Sequence, residues 1–173
     1  MKMRNRFAAL MVAICVMASI GGSATVVAQA SDLRINGQRI TLLAPLTITT
    51  AIGATTTTPV VSLIGMSHLI GEAIFVYGSG GTNATAYIQT SFDAGTTWVD
   101  VMAFQFTTAT LSKMSATSQE VAPAAQAVAP TDGTLTVNTV LNGFLGDRIR
   151  LKYVTTGTYG GSTTLAVYAI VKG

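Results

Sequence analysis

Ser67 and His68 are the first residues whose chemistry demands attention, because His68 is the only histidine in the chain and a hydroxyl stands next to it. An imidazole activates a serine only when it reaches the Oγ and a third group orients the ring. Consecutive residues of a strand point to opposite faces, and Leu69 and Ile70 follow in place of a G-x-S-x-G turn, so no catalytic role is expected. Asp93, Asp100, Asp132 and Asp147 could pair for glycoside hydrolysis or gather around Ca²⁺. All but Asp100 stand in or near glycine-containing turns, where aspartate caps backbone N–H groups with no further duty. The one cysteine, Cys15, lies in an apolar N-terminal run, and with a single histidine it makes no transition-metal ligand set. Gly78–Gly81 is followed by a strand pattern, not by the helix a phosphate loop needs. The expectation is a protein that is not an enzyme, with no catalytic residue, no cofactor site and no metal site.

Arg148, Arg150 and Lys152 alternate with Ile149, Leu151 and Tyr153, which places a cationic ladder opposite an apolar face. Such a ladder is a candidate contact for an anionic glycan or an acidic partner; the plainer reading is a solvated strand face. The net charge of +3 is misleading, since Lys2, Arg4 and Arg6 open the chain. Beyond residue 30, Arg34, Arg39, Lys113, Arg148, Arg150, Lys152 and Lys172 balance Asp32, Glu72, Asp93, Asp100, Glu120, Asp132 and Asp147. That balance argues against a nucleic-acid partner, which requires an excess of Lys and Arg.

Ser91-Phe92-Asp93-Ala94-Gly95-Thr96-Thr97-Trp98 fits the Asp-box pattern S/T-x-D-x-G-x-T-W, and this hairpin resembles those of sialidases and other β-propellers. Asp93 can accept backbone N–H groups, Gly95 supplies a left-handed conformation, and Trp98 is expected to plug the core beneath. Ser91, Asp93, Gly95, Thr97 and Trp98 thus form a structural turn. A propeller needs several copies at a fixed period, and this chain holds one.

The elements that must carry these residues are strands. Hydrophobic residues make up 49% of the chain and charged residues only 10%, with abundant Gly and Thr, a composition of short strands and tight turns. Asn36-Gly37 predicts an opening hairpin. Leu46–Thr58 reads as an edge strand running into a loop that ends at Pro59, followed by a short strand from Val60 to Ile64. Ala73–Tyr77 and Ala84–Thr90 read as a second hairpin about Gly78–Thr82, and Trp98–Phe106 as a strand with Trp98, Met102, Phe104 and Phe106 on its core face. Thr107–Pro130 reads as a long loop, with Ala122–Ala125 exposed; strands are then expected at Thr134–Leu141, Asp147–Thr155 and Thr163–Val171. The loop around Ala122 and a solvent-facing Tyr159 are candidate contact points. The fold class is therefore all-β, an antiparallel sandwich or jelly-roll-like domain spanning residues 31–173. It follows a hydrophobic, signal-like helix at residues 1–30: a basic start, an apolar run from Phe7 to about Ile20, and Ala28-Gln29-Ala30 as a cleavage site. Removal of that segment would leave no membrane span, and export to the periplasm, cell surface or medium is the expectation.

Several stretches carry a further resemblance: Tyr77–Thr82 (YGSGGT), Gln89–Trp98 (QTSFDAGTTW), Phe104–Ala109 (FQFTTA), Pro130–Thr134 (PTDGT), Gly146–Lys152 (GDRIRLK) and Thr155–Gly161 (TTGTYGG). In this order, over residues 74–173, the chain resembles small, mostly uncharacterised proteins encoded in tailed-phage and prophage structural regions. The resemblance implies a virion component, a head-decoration or tail-associated β-sandwich that packs on neighbouring subunits or on itself as a homo-oligomer. Its members lack a signal peptide, which the N-terminal pattern of this chain leads one to expect here. The alternative is an exported bacterial domain, periplasmic or on the cell surface, that binds glycan or protein.

Overall fold

In the computed structural model the described residues are 37–122 and 127–173, with backbone alone at 54 and 56–59. The signal-like segment, the Asn36-Gly37 turn and most of the Ala122–Ala125 loop lie outside them. The compact unit that contains every described residue runs Arg34–Gly173. No helix occurs among the described residues; the elements are β1 (Gly37–Thr47), β2 (Ile52–Ser62), β3 (His68–Val76), β4 (Ser79–Gly80), β5 (Asn83–Ser91), β6 (Val99–Phe106), β7 (Leu111–Ser118), β8 (Arg148–Thr156), β9 (Tyr159–Gly160) and β10 (Thr164–Lys172).

The eight long strands pair as a folded strip. β1 pairs with β10, β2 with β8, β3 with β7 and β5 with β6, all antiparallel. β10 also pairs with β3, and β8 with β5, which rolls the strip into two four-stranded sheets ordered β1-β10-β3-β7 and β2-β8-β5-β6. Strand alternation sends Leu69, Ala73, Phe75, Leu165 and Val167 inward from the first sheet and Ala86, Ile88, Phe104, Phe106, Ile149 and Leu151 inward from the second, and all belong to one buried cluster. Phe75 of β3 stacks on Phe106 of β6 with ring centroids 5.3 Å apart, so the apolar faces of the sheets meet and the arrangement is sandwich-like.

Several sequence expectations are corrected. Residues 73–77 and 84–90 do not form a hairpin: β3 and β5 belong to different sheets, and the intervening glycines carry the chain from one to the other while β4 pairs with β9. Residues 111–118, read as loop, form β7. Thr134–Leu141, read as a strand, contributes only an isolated bridge between Val140 and Met102. β2 runs on through Pro59, where a register shift between Thr57 and Val61 lets an edge strand absorb the missing N–H. Tyr159 is buried at 4% exposure, under the Gly81 backbone. In β6, a bulge at Val101 breaks the expected face. Met102, Phe104 and Phe106 join the core cluster, while Trp98 lies on the other side of the sheet against Arg150.

At Gly71 side chains of the opposite sheet fill the space a Cβ would occupy. A Cβ there would stand 2.5 Å from Ile88 Cδ1 and 2.7 Å from Met102 Sδ. Gly71→Val should therefore overpack the core and lower unfolding stability by about 1–3 kcal/mol. Urea denaturation at constant m-value checks this, and an unchanged midpoint would contradict it.

Candidate functional site

The outer face of the β2-β8-β5-β6 sheet holds the polar residues singled out in the sequence. The β5–β6 connection is closed by its own side chains. Asp93 Oδ1 accepts from the Ser91 hydroxyl (2.8 Å) and from the Thr96 and Thr97 amides (3.0 and 2.8 Å), and Oδ2 accepts from the Thr97 hydroxyl (2.7 Å). Ser91 Oγ accepts from the Gly95 amide at 2.8 Å. The turn places both Ala94 (φ 59°) and Gly95 (φ 97°) in the left-handed region. Trp98 donates through Nε1 to the Gly95 carbonyl at 3.0 Å and so seals the turn from below, on the outer side of the sheet and not in the sandwich core. The Thr97 amide, then the Thr97 and Ser91 hydroxyls, hold the Asp93 carboxyl down at about 2.

The expected cationic ladder is a covered network. Lys152 is buried, and its Nζ reaches Asp132 Oδ2 at 2.7 Å and the Asp132 carbonyl at 2.9 Å. Arg150 donates through Nε to Gln89 Oε1 at 2.7 Å, lies 3.4 Å from Asp132 Oδ1 and stacks 4.2 Å from the Trp98 ring. Burial presses the Arg150 guanidinium below its ordinary value, against the opposing pull of Asp132 and Asp100. Lys152, then Gln89, holds the Asp132 carboxyl low. Only Arg148 stays half-open, its side chain 40% exposed and its Nε 3.8 Å from Asp147 Oδ2.

Asp100, near the start of the edge strand β6, is completely buried. Its carboxylate accepts from the amides of Gly133 (3.0 and 2.9 Å), Thr134 (2.9 Å) and Leu135 (3.2 Å) and from Gln89 Nε2 (2.7 Å). The Asp100 amide in turn donates to the Thr131 hydroxyl oxygen at 2.7 Å. A buried carboxylate with this many donors is satisfied without a cation. Sequence reasoning weighed Asp100 and Asp132 only as carboxylates for Ca²⁺ or glycoside hydrolysis and missed Gln89; the available signal was a lone acid near the start of the apolar strand VDVMAFQF.

Ser67 and His68 do meet, contrary to the opposite-face expectation, because Ser67 precedes β3 and is free of strand alternation. Ser67 Oγ is 2.8 Å from His68 Nδ1, and His68 Nε2 is 3.3 Å from Glu120 Oε2. Ser67 N–H donates to the Lys172 carbonyl and Met66 N–H to that of Leu63, both at 2.8 Å. Among the described residues no group of His, Cys, Asp and Glu is placed to hold a metal ion. A scan against protein-family models and searches of curated proteins and of solved structures found no match to this chain.

Two outcomes follow. Asp100→Ala orphans several buried donors, so stability should fall by about 3 kcal/mol and the amides of Gly133, Thr134 and Leu135 should exchange faster. Hydrogen–deuterium exchange reads this, and unchanged protection there would contradict it. For Asp93, the folded carboxyl ionises near 2 against an ordinary 3.8, so its stabilising effect is complete above pH 3.8 and disappears as pH falls towards 2. Asp93→Ala should flatten the melting temperature against pH across that window; a profile parallel to that of the parent would contradict the assignment.

Proposed function

We propose that the protein is a non-catalytic structural subunit, a phage or prophage virion component of the head-decoration or tail-associated kind, that works by packing on neighbouring subunits. The observation that carries this reading is the winding: first strand with last, second with seventh, third with sixth and fourth with fifth, which is the jelly roll used by viral capsid and lectin domains. Surface chemistry supports it. On the outer face of the β1-β10-β3-β7 sheet, Ile170, Ile70 and Ala116 stand side by side across three strands, and both isoleucines are more than 40% exposed. An exposed apolar row of this kind supports a contact with protein. On this reading the charged groups of the opposite sheet are internal struts, and neither nucleic acid nor a cofactor is a partner.

A second reading, an exported bacterial domain that binds glycan or protein, draws on a different observation. At one end of the sheets a groove of about 470 Å³ is lined by Phe92, Val99, Gln119, Val128 and Phe144, with the Phe92 ring 59% exposed. An exposed aromatic beside an amide suits a sugar ring.

Intact mass of the chain in released particles, periplasm and medium separates the two. Particle-associated protein is the expected result. A species beginning at Ser31, found in periplasm or medium and absent from particles, would overturn the virion reading in favour of the exported one.

A further inference from the structure

The four edge strands of the two sheets are not equally protected. β1 is broken by register shifts at Thr41–Leu43 and Leu43–Leu46. β2 carries two shifts and Pro59. β6 is covered by the chain at Thr139–Leu141, whose backbone bonds to Ala103 (3.0 Å) and Val101 (2.8 Å). Such bulges, prolines and covers are how edges are kept from pairing with other chains. β7 has none of them: it runs in unbroken register with β3 from Leu111 to Ser118 and contains no proline.

The free groups of β7 can be named. Gln119 N–H donates to the Ser67 carbonyl, and Ser118 N–H turns away to Asn142 Oδ1. Antiparallel alternation then directs the N–H and C=O of Ser112, Met114 and Ala116 away from β3, where no strand lies beside them. The one charge of the strand, Lys113, is turned under it, onto the Gln105 carbonyl (2.5 Å) and Asn138 Oδ1 (2.7 Å). Beside Met114 and Ser115 runs a groove of about 330 Å³ walled by Phe104 and Val140. The Met114 side chain is 70% exposed.

We propose that β7 is a self-association edge, where a second copy of this chain adds its own β7 antiparallel across a twofold axis to join two four-stranded sheets into one. Only one register satisfies all the free groups. Pairing Met114 with Met114 sets Ser112 against Ala116 on both sides, so that each pair exchanges both N–H···O=C bonds. A shift one way sets Lys113 directly against Lys113, and a shift the other way brings Ser112 to Ser118, whose amide is already bonded. In the favoured register Lys113 faces Ser115, and the exposed methionines cover each other at the axis. Twofold symmetry makes one patch serve both partners. The inference rests on the reading of the protein as an assembling subunit and specifies the contact.

The test is the molar mass of the protein as recovered from cells, by sedimentation and light scattering, for the parent and two variants. Met114→Pro removes an N–H that bonds nothing within the protomer, so the variant should melt as the parent does yet run as a monomer where the parent is a dimer. Met114→Cys in a Cys15→Ser background should form a disulfide-linked dimer on mild oxidation, since paired Cα atoms across the axis lie about 5.5 Å apart. A monomeric parent, a Met114→Pro variant that stays dimeric, or a folded Met114→Cys variant that fails to cross-link would overturn the proposal. A dimer that obeys these variants but is absent from particles would leave this contact standing and remove the virion reading.

Discussion

The buried carboxylate of Asp100 is the constraint around which one half of the molecule is organised. A charge buried against a sheet is tolerable only if donors surround it. Here the donors are the consecutive amides of Gly133, Thr134 and Leu135 and the Gln89 amide group. Satisfying Asp100 therefore fixes a long connection across the outer face of the β2-β8-β5-β6 sheet. That connection brings Asp132 to Lys152 and Arg150, and Arg150 in turn lies over Trp98, the residue that closes the Asp93 turn. The bulge at Val101 belongs to the same constraint, since it lets Asp100 face outward while Met102 returns to the core.

The consequence is a division of labour between the sheets. One outer face is polar, covered and internally bonded. The other carries isoleucines in the open and ends at an edge strand with unpaired backbone groups. The Ser67–His68–Glu120 chain sits at the end of that second sheet and holds the start of β3 near the residues that follow β7. On our reading the covered sheet supplies rigidity and the open one supplies contacts, a distribution that suits a subunit better than an isolated domain.

What was legible in the sequence was local. The Ser91–Trp98 turn needs only its own side chains, and the Ile149, Leu151, Tyr153 alternation needs only one strand. What failed depended on distant partners. Gly78–Thr82 reads as a hairpin turn because a hairpin and a passage between sheets use the same glycines; the difference lies in β3 finding β10 and β7. β7 escaped notice because its inward positions include Lys113 and Ser115 while Met114 points out, the reverse of a core pattern. Leu135 and Val137 imitated a strand in a segment whose backbone is held by Asp100. The cationic ladder was correctly placed on one face, but nothing local shows that another part of the chain covers that face.

The measurement that bears most directly on the central claim is electron cryomicroscopy of particles released by cells that make this protein. The account predicts repeating density that both sheets fit, with the open face of the β1-β10-β3-β7 sheet against a neighbouring subunit and the Asp100 network away from any contact. Particles whose density holds no copy of the chain, or in which the covered sheet forms the contact and the open one faces solvent, would contradict it.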